Sequence, residues 1–295
     1  MSEALVRAGH HVRVVDNFFS GKRENLRAVR SDIEILTGDC ADPGVARRAT
    51  KGIEIVFHEA AVPSVARSVD DPALSHRANA TATLELLSAS RDAGVRRFIY
   101  AGSSSVYGES RELPKRETMS TRPLSPYAVG KLMGEHYLRI FASLYGMETL
   151  TLRYFNVFGP RQDPGSPYSG VISLFTTALL QRKLPLIYGD GGQTRDFTYV
   201  ANVVDGNLRA LRAKGLFGQS VNLATGRSVS LKQLLRALAA ETGGVAKARH
   251  VPARAGDIRH SLADIGTARK LLGYRPRVDF ETGLRHTVAW YREGR

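Results

Sequence analysis

Tyr127 and Lys131 stand four residues apart in the stretch SPYAVGK, residues 125–131. Ser125 suits the cap of a helix and Pro126 its first position, and the pattern stays helical to about Tyr145, where Gly146 supplies a stop. Residues i and i+4 share one face of such a helix. That spacing has a chemical use. A free tyrosine titrates near ~10 and is no base at neutral pH; lowering it by about three units takes roughly 4 kcal/mol of preferential phenolate stabilisation. A neighbouring ammonium and a positively charged nicotinamide ring are groups that could supply it. Taken alone, a Tyr-Lys pair at this spacing is a weak signal and more often a chance pair on a helix surface.

A second group sharpens the choice. A β-branched and aromatic run at 97–100 ends in AGSSSVYG, residues 101–108. A turn of small residues at a strand's carboxyl end exposes hydroxyls, and Ser103 could donate to a substrate oxygen and relay its proton to Tyr127. The alternative is a serine-rich turn satisfying its own backbone, and for Ser104 and Ser105 the two readings stay open.

These side chains need a frame. Short apolar runs at 11–15, 33–36, 53–57, 97–100 and 148–154 alternate with helical patterns such as 78–93. Alternation of this kind predicts an α/β fold with a doubly wound parallel sheet, Rossmann-like, which binds ligands beyond the carboxyl ends of its strands. Polar clusters fall at those ends: Asp16-Asn17, Gly38-Asp39, 58–61 and 103–105. After Asn156 the texture changes. A Gly- and Pro-rich stretch at 159–170 precedes helices expected at 171–182, 201–213 and 231–241, the last capped by Ser230, and a fourth capped by Asp264 that stops at Gly273. Residues 1–157 are therefore expected to form the dinucleotide-binding domain and 158–295 mainly a substrate domain. The chain opens on a helix-like stretch, 3–8, closed by Gly9, with no G-x-G-x-x-G ahead of it. The expectation is an N-terminally truncated domain lacking its first strand and glycine-rich turn.

Bulk properties narrow the class. At 295 residues the chain can bury a full core. No run of eighteen apolar residues offers a membrane span, and no secretion signal opens the chain. The lone Cys40 allows no internal disulfide, which suits the cytoplasm. The net charge of +14 suits an anionic partner, but the basic residues run from Arg7 to Arg295 without a stripe or arm, so no nucleic-acid binding is expected. A phosphorylated small molecule fits better.

The chain resembles the extended short-chain dehydrogenases, in their sugar-nucleotide epimerase and dehydratase branch. The resemblance runs from about Ala4 to the C-terminus and rests on SSSVYG, SPYAVGK, LRYFNVFGPRQDP, IYGDGGQTRDFTYV and RAGDIRHSLAD, in this order. It implies that Tyr127 is the base, Lys131 its partner and Ser103 the assisting hydroxyl. The implied cofactor is NAD, with no metal. Asp16 would bind the adenosine ribose, beside Asn17, an acidic choice that favours NAD over NADP. By the same resemblance Asp39 and Cys40 flank the adenine, Ala60, Ala61 and Asn79 line the dinucleotide, and Tyr154 and Phe155 face the nicotinamide, which Tyr127 and Lys131 also contact. His58 is expected to be structural. Asn156, Arg195 and Arg254 match positions that hold the nucleotide diphosphate, where arginine forms forked, charge-assisted hydrogen bonds. Asp257 would meet the nucleoside ribose.

The dehydratases resembled here carry an Asp-Glu pair after the strand-end hydroxyl, and the decarboxylases tend to carry Glu. Ser104 and Ser105 occupy those positions and cannot act as acids. The resemblance therefore implies 4-epimerisation of a UDP-hexose through a 4-keto intermediate, with no net redox change. Ser261, small where a bulkier Tyr restricts the pocket, points to UDP-N-acetylglucosamine and its galacto epimer, with UDP-glucose and UDP-galactose as further substrates. A dehydratase or decarboxylase, or a non-catalytic nucleotide-sugar-binding protein lacking the glycine turn, are the competing expectations. The resemblance further implies a homodimer through a helix bundle that includes the Tyr127 helix.

Overall fold

The computed structural model describes residues 1–110, 112–165, 170–253 and 258–293. Two compact units emerge, both discontinuous in sequence: Met1–Val106, Pro123–Arg153 and Asn207–Val221 form the first, and Tyr107–Arg122, Tyr154–Gly206 and Asn222–Arg295 the second.

The first unit is built on alternation. In order come α1 (Ser2–Arg7), β1 (Val12–Asp16), β2 (Ile33–Thr37), α2 (Pro43–Thr50), β3 (Ile55–His58), α3 (Val65–Asp70), α4 (Pro72–His76), α5 (Ala82–Asp92), β4 (Arg97–Ser103), α6 (Pro126–Tyr145) and β5 (Glu148–Tyr154). β1 and β2 pair in parallel from Val12 opposite Ile33 to Asp16 opposite Thr37. β3 and β4 pair in parallel from Ile55 opposite Arg97 to His58 opposite Tyr100. β3 is the edge of a four-stranded sheet of order β10-β5-β4-β3, where β10 is Gln219–Leu223. Among the described residues, β1 and β3 pair on one side only. The apolar strands β4 and β5 are buried along nearly their whole length, as strands covered on both faces must be. Leu86, Leu87, Phe98, Leu138 and Phe141 join Tyr100 in the core beneath them.

α6 forms where its local chemistry directs. The Ser125 hydroxyl accepts from the Ala128 N–H at 3.2 Å, Pro126 opens the first turn, and Gly146 closes the helix at φ +67°. Its inner face carries Lys131, Gly134, Glu135 and Leu138. Two glycines set how near it comes to its neighbours. A Cβ at Gly134 would lie 2.6 Å from the Tyr100 ring, and one at Gly130 would lie 3.1 Å from the Asn79 side chain. Glu135 is buried and forked to Arg153 of β5, at 2.6 and 2.9 Å, and accepts from the Ser220 hydroxyl at 2.9 Å.

The single helix expected at 78–93 is two pieces, a π-helical turn and α5, and follows directly on α4. α4 runs into a π-helical turn, Arg77–Thr81, before α5 begins. Side-chain bonding accompanies the change: the Asn79 amide donates to the Ser75 carbonyl at 2.8 Å, and the Thr83 hydroxyl to the Asn79 carbonyl at 2.6 Å. Such turns recur at functional sites.

The second unit carries short strands among helices: β6 (Val157–Phe158), α7 (Val171–Leu180), β7 (Leu186–Tyr188), β8 (Thr194–Arg195) and β9 (Thr198–Tyr199). α8 (Val200–Ala210) and β10 follow, and both cross the boundary between the units. β11 (Val229–Ser230), α9 (Leu231–Thr242), β12 (Arg249–Val251), α10 (Gly266–Leu272) and α11 (Phe280–Arg292) complete the order. Ser230 caps α9 in a capping box with Gln233. The cap of α10 is Ile265 rather than Asp264, although the Asp264 carboxylate still accepts from the Gly266 N–H at 2.7 Å. α11, unforeseen in the sequence, starts on Asp279, which accepts from the Thr282 N–H at 2.7 Å. Its Leu284 and Val288 join Phe158, Phe175, Phe197 and Leu234 in a second core. No helix among the described residues is long and apolar enough to cross a membrane.

Candidate active site

The three residues singled out for chemistry converge in the first unit. Ser103 is the last residue of β4, and Tyr127 and Lys131 lie on the first turns of α6. The Ser103 hydroxyl accepts from the Ser105 hydroxyl at 2.9 Å and the Ser105 N–H at 3.2 Å, and Ser103 acts on the Tyr127 hydroxyl to lower its pKa. Ser105 thus folds back on Ser103, while Ser104 opens a 3₁₀ turn, Ser104–Tyr107. Lys131 is buried, and its Nζ donates to the Ala101 carbonyl of β4 at 2.9 Å.

Burial decides the protonation states. It pushes the Tyr127 hydroxyl above its ordinary value, and the Ser103 hydrogen bond pulls the other way without prevailing. The expected lowering of this tyrosine is therefore not a property of the ligand-free site; it requires a further positive charge. Burial also lowers Lys131 to about 8, against the opposing pull of the Glu59 and Glu135 carboxylates.

The expected cofactor residues of the first unit collect at strand ends. The Asp16 carboxylate, at the end of β1, accepts from the Phe18 N–H at 2.7 Å, and the Asn17 side chain accepts from the Phe19 N–H at 3.0 Å. Asp39 accepts from the Ala41 N–H at 2.8 Å and faces Arg77 at 3.5 Å. Cys40 is buried beside these acids, its thiol raised to about 11 by burial first and by the charges of Asp39 and Asp16 second. Asp16, Asp39 and Cys40 are thus one group. Ala60 and Ala61 follow β3, and Asn79 is buried in the π-helical turn with its Oδ1 lacking a hydrogen-bond partner. His58, expected to be structural, is buried with its Nε2 2.9 Å from the Thr83 hydroxyl.

Tyr154 ends β5, and Phe155 is buried in the second unit with its ring 6.3 Å from that of Tyr107. The described substrate residues of that unit share adjoining backbone. Asn156, held at φ +23°, accepts through its carbonyl from the Thr198 N–H at 3.2 Å. Arg195 donates to the Thr194 carbonyl at 2.9 Å, and that same carbonyl accepts from the Ser261 N–H at 3.1 Å. Arg254 and Asp257 lie outside the described residues. The sequence did not single out Asp196, which ties this region together. Buried, it accepts from the Thr225 N–H and hydroxyl at 3.0 and 2.6 Å, from the Gly226 N–H at 2.9 Å and from the Ala263 N–H at 3.3 Å. Glu59, Tyr100 and Glu135 were also missed. Only Glu135 carried a signal, its i+4 spacing from Lys131.

Parallel strands that end in an acid, in a small-residue turn and beside a Tyr-Lys helix define the extended short-chain dehydrogenase class. The chain belongs to the NAD dependent epimerase/dehydratase family, whose model matches residues 1–224. It is 38% identical over 294 residues to a UDP-glucose 4-epimerase of Mycolicibacterium smegmatis, covering 98% of this chain and 93% of that one. Among solved structures, it is 37% identical to the UDP-glucose 4-epimerase of Thermotoga maritima with UDP-glucose, with a TM-score of 0.95 and coverage of 99% and 94%. It is also 37% identical to the UDP-N-acetylglucosamine 4-epimerase of Methanobrevibacter ruminantium in complex with UDP-N-acetylmuramic acid, with a TM-score of 0.92 and coverage of 96% and 91%.

The residues present fit NAD. Lys131 carries three N–H donors, of which one goes to Ala101, so donors remain for ribose hydroxyls. The orphaned Asn79 Oδ1 is an acceptor inside the group of expected cofactor residues. Gly21 leaves room at Asp16, since a Cβ there would lie 2.5 Å from its carboxylate oxygen.

The lowered Lys131 makes a stability prediction. Its folded value, about 8, lies below the unfolded one, so the folded protein sheds this proton first and stability rises with pH between them. Wild type should therefore gain up to about 3 kcal/mol relative to Lys131→Met between about pH 8 and pH 10.5. Chemical denaturation across that range checks it.

Proposed function

We propose that this protein is an NAD-dependent 4-epimerase of UDP-hexoses, acting on UDP-N-acetylglucosamine and its galacto epimer and also on the UDP-glucose pair. The observation that carries the reading is the convergence of Tyr127 and a buried Lys131 on Ser103, at a strand end whose next residues are serines rather than acids. Bound NAD would supply hydride acceptance and return at the sugar C4. Tyr127 removes the proton of the sugar 4-hydroxyl and gives it back to the opposite configuration. Ser103 bonds the same oxygen and carries the proton between it and Tyr127. Lys131 holds positive charge near Tyr127 and favours its phenolate. With Ser104 and Ser105 in the turn, no carboxyl is present there to drive water loss. Asn156 and Arg195, with Arg254, hold the diphosphate, and Asp257 the nucleoside ribose.

The small Ser261, beside Thr194, supports room for a 2-acetamido group. The competing reading as a binding protein predicts affinity for UDP-sugar without turnover. A homodimer is supported by the exposed apolar residues of α3 and α6, which pack together: Val65 and Val69 on one, Val129, Ile140 and Leu144 on the other.

Three outcomes follow from this reading. Purified protein with NAD should interconvert UDP-N-acetylglucosamine and UDP-N-acetylgalactosamine by product chromatography, and Tyr127→Phe should lower kcat by about 10²- to 10⁴-fold. Inactivity of wild type on every UDP-hexose tested would reject the epimerase. Ser261→Tyr should depress turnover of the acetylated pair while sparing UDP-glucose; equal loss on both removes the pocket argument. In analytical ultracentrifugation the chain should sediment as a dimer and Leu144→Glu should shift it towards monomer.

A further inference from the structure

The Lys131 ammonium lies against more than its one carbonyl acceptor. Its Nζ sits over the ring of Tyr100, 4.8 Å from the centroid, and 6.0 Å from that of Tyr127. Tyr100 is fully buried on β4 and fixed from every side. The His58 ring stacks on it at 5.6 Å and 30°. Its hydroxyl donates to the Lys131 carbonyl at 3.5 Å, and Gly134 provides the space its ring end occupies.

We propose that Tyr100 is a positioning residue for the catalytic ammonium: its ring face keeps Lys131 charged and directed at Tyr127. The proposal rests on Lys131 being the reactive tyrosine's partner, as set out above. A cation within ~6 Å of an aromatic centroid is attracted to the ring face, and more so away from water. Among the described residues, few charged or titratable groups face Lys131. From α6 come Tyr127 and Glu135, from β3 and its end His58 and Glu59, and from β4 Tyr100. Glu135 is committed to Arg153, and Glu59 is exposed, where solvent screens it. His58 stays neutral, held near 3 by burial first and the Lys131 charge second, and Tyr100 is pushed well above its ordinary value by burial. The ring is thus the desolvated partner that does not titrate in the working range.

Thermal unfolding of the ligand-free protein against pH tests this apart from turnover. The difference between wild type and Lys131→Met isolates the lysine, and its onset marks the folded-state pKa. Tyr100→Phe, paired with its own Lys131→Met double variant, should keep that onset, because the ring remains. Tyr100→Leu in the same pairing should move it to lower pH by about 0.5–1 unit. Tyr100→Met takes its place, with the same expectation, where the leucine variant does not fold. The upper limb of kcat/KM against pH should move with the onset. An unmoved onset in the leucine or methionine variant, an equal shift in Tyr100→Phe, or no lysine-dependent onset in wild type overturns the proposal. A shifted onset without turnover in any protein would leave the platform standing and reject the epimerase instead.

Discussion

Burying an ammonium is expensive: the penalty is several kcal/mol per ion even after relaxation. The first unit is arranged around meeting it at Lys131. α6 must come close enough to β4 for Nζ to reach the Ala101 carbonyl and the Tyr100 ring, which sets the identity of Gly134 on the same inner face. One turn further on, Glu135 meets Arg153 of β5 and anchors the helix laterally. The same burial holds His58 neutral beneath the ring. Helix placement, glycine placement and ionisation are therefore one problem with one solution.

The ligand-free site is biased towards a protonated Tyr127. Desolvation raises its hydroxyl, and one serine hydrogen bond does not reverse that. A positive charge arriving with a cofactor acts in the opposite direction. In the proposed reaction the base strength of Tyr127 would then be tied to cofactor occupancy, in keeping with a family whose description is NAD dependent. The partnerless Asn79 Oδ1 is a buried acceptor in a helix interrupted by a π turn.

The second unit solves its own problem with a buried carboxylate. Asp196 gathers donors from Thr225, Gly226 and Ala263, and its neighbour Arg195 is presented on a two-residue strand, β8, paired with β11. A short strand has little cohesion of its own. Four hydrogen bonds to one carboxylate fix the loops beside it.

What the sequence determined is local. α6 could be placed to the residue because a serine cap, an N-terminal proline and a left-handed glycine act within a turn of where they stand. The parallel strands followed from apolar runs alternating with helical ones, and Tyr127, Lys131 and Ser103 from spacing along one helix and one strand end. Tertiary structure decided what no spacing encodes. Tyr100 looked like any apolar strand residue until β4 met α6, and Asp196 like a turn acid until loops 30 and 67 residues further along the chain closed on it. The π turn at Asn79 and the cap at Ile265 both departed from local expectation. At both sites side chains bond nearby backbone groups, Asn79 to Ser75 and Asp264 to Gly266, and Asn79 also reaches the Val62 carbonyl at 3.4 Å, 17 residues away, which only folding brings beside it.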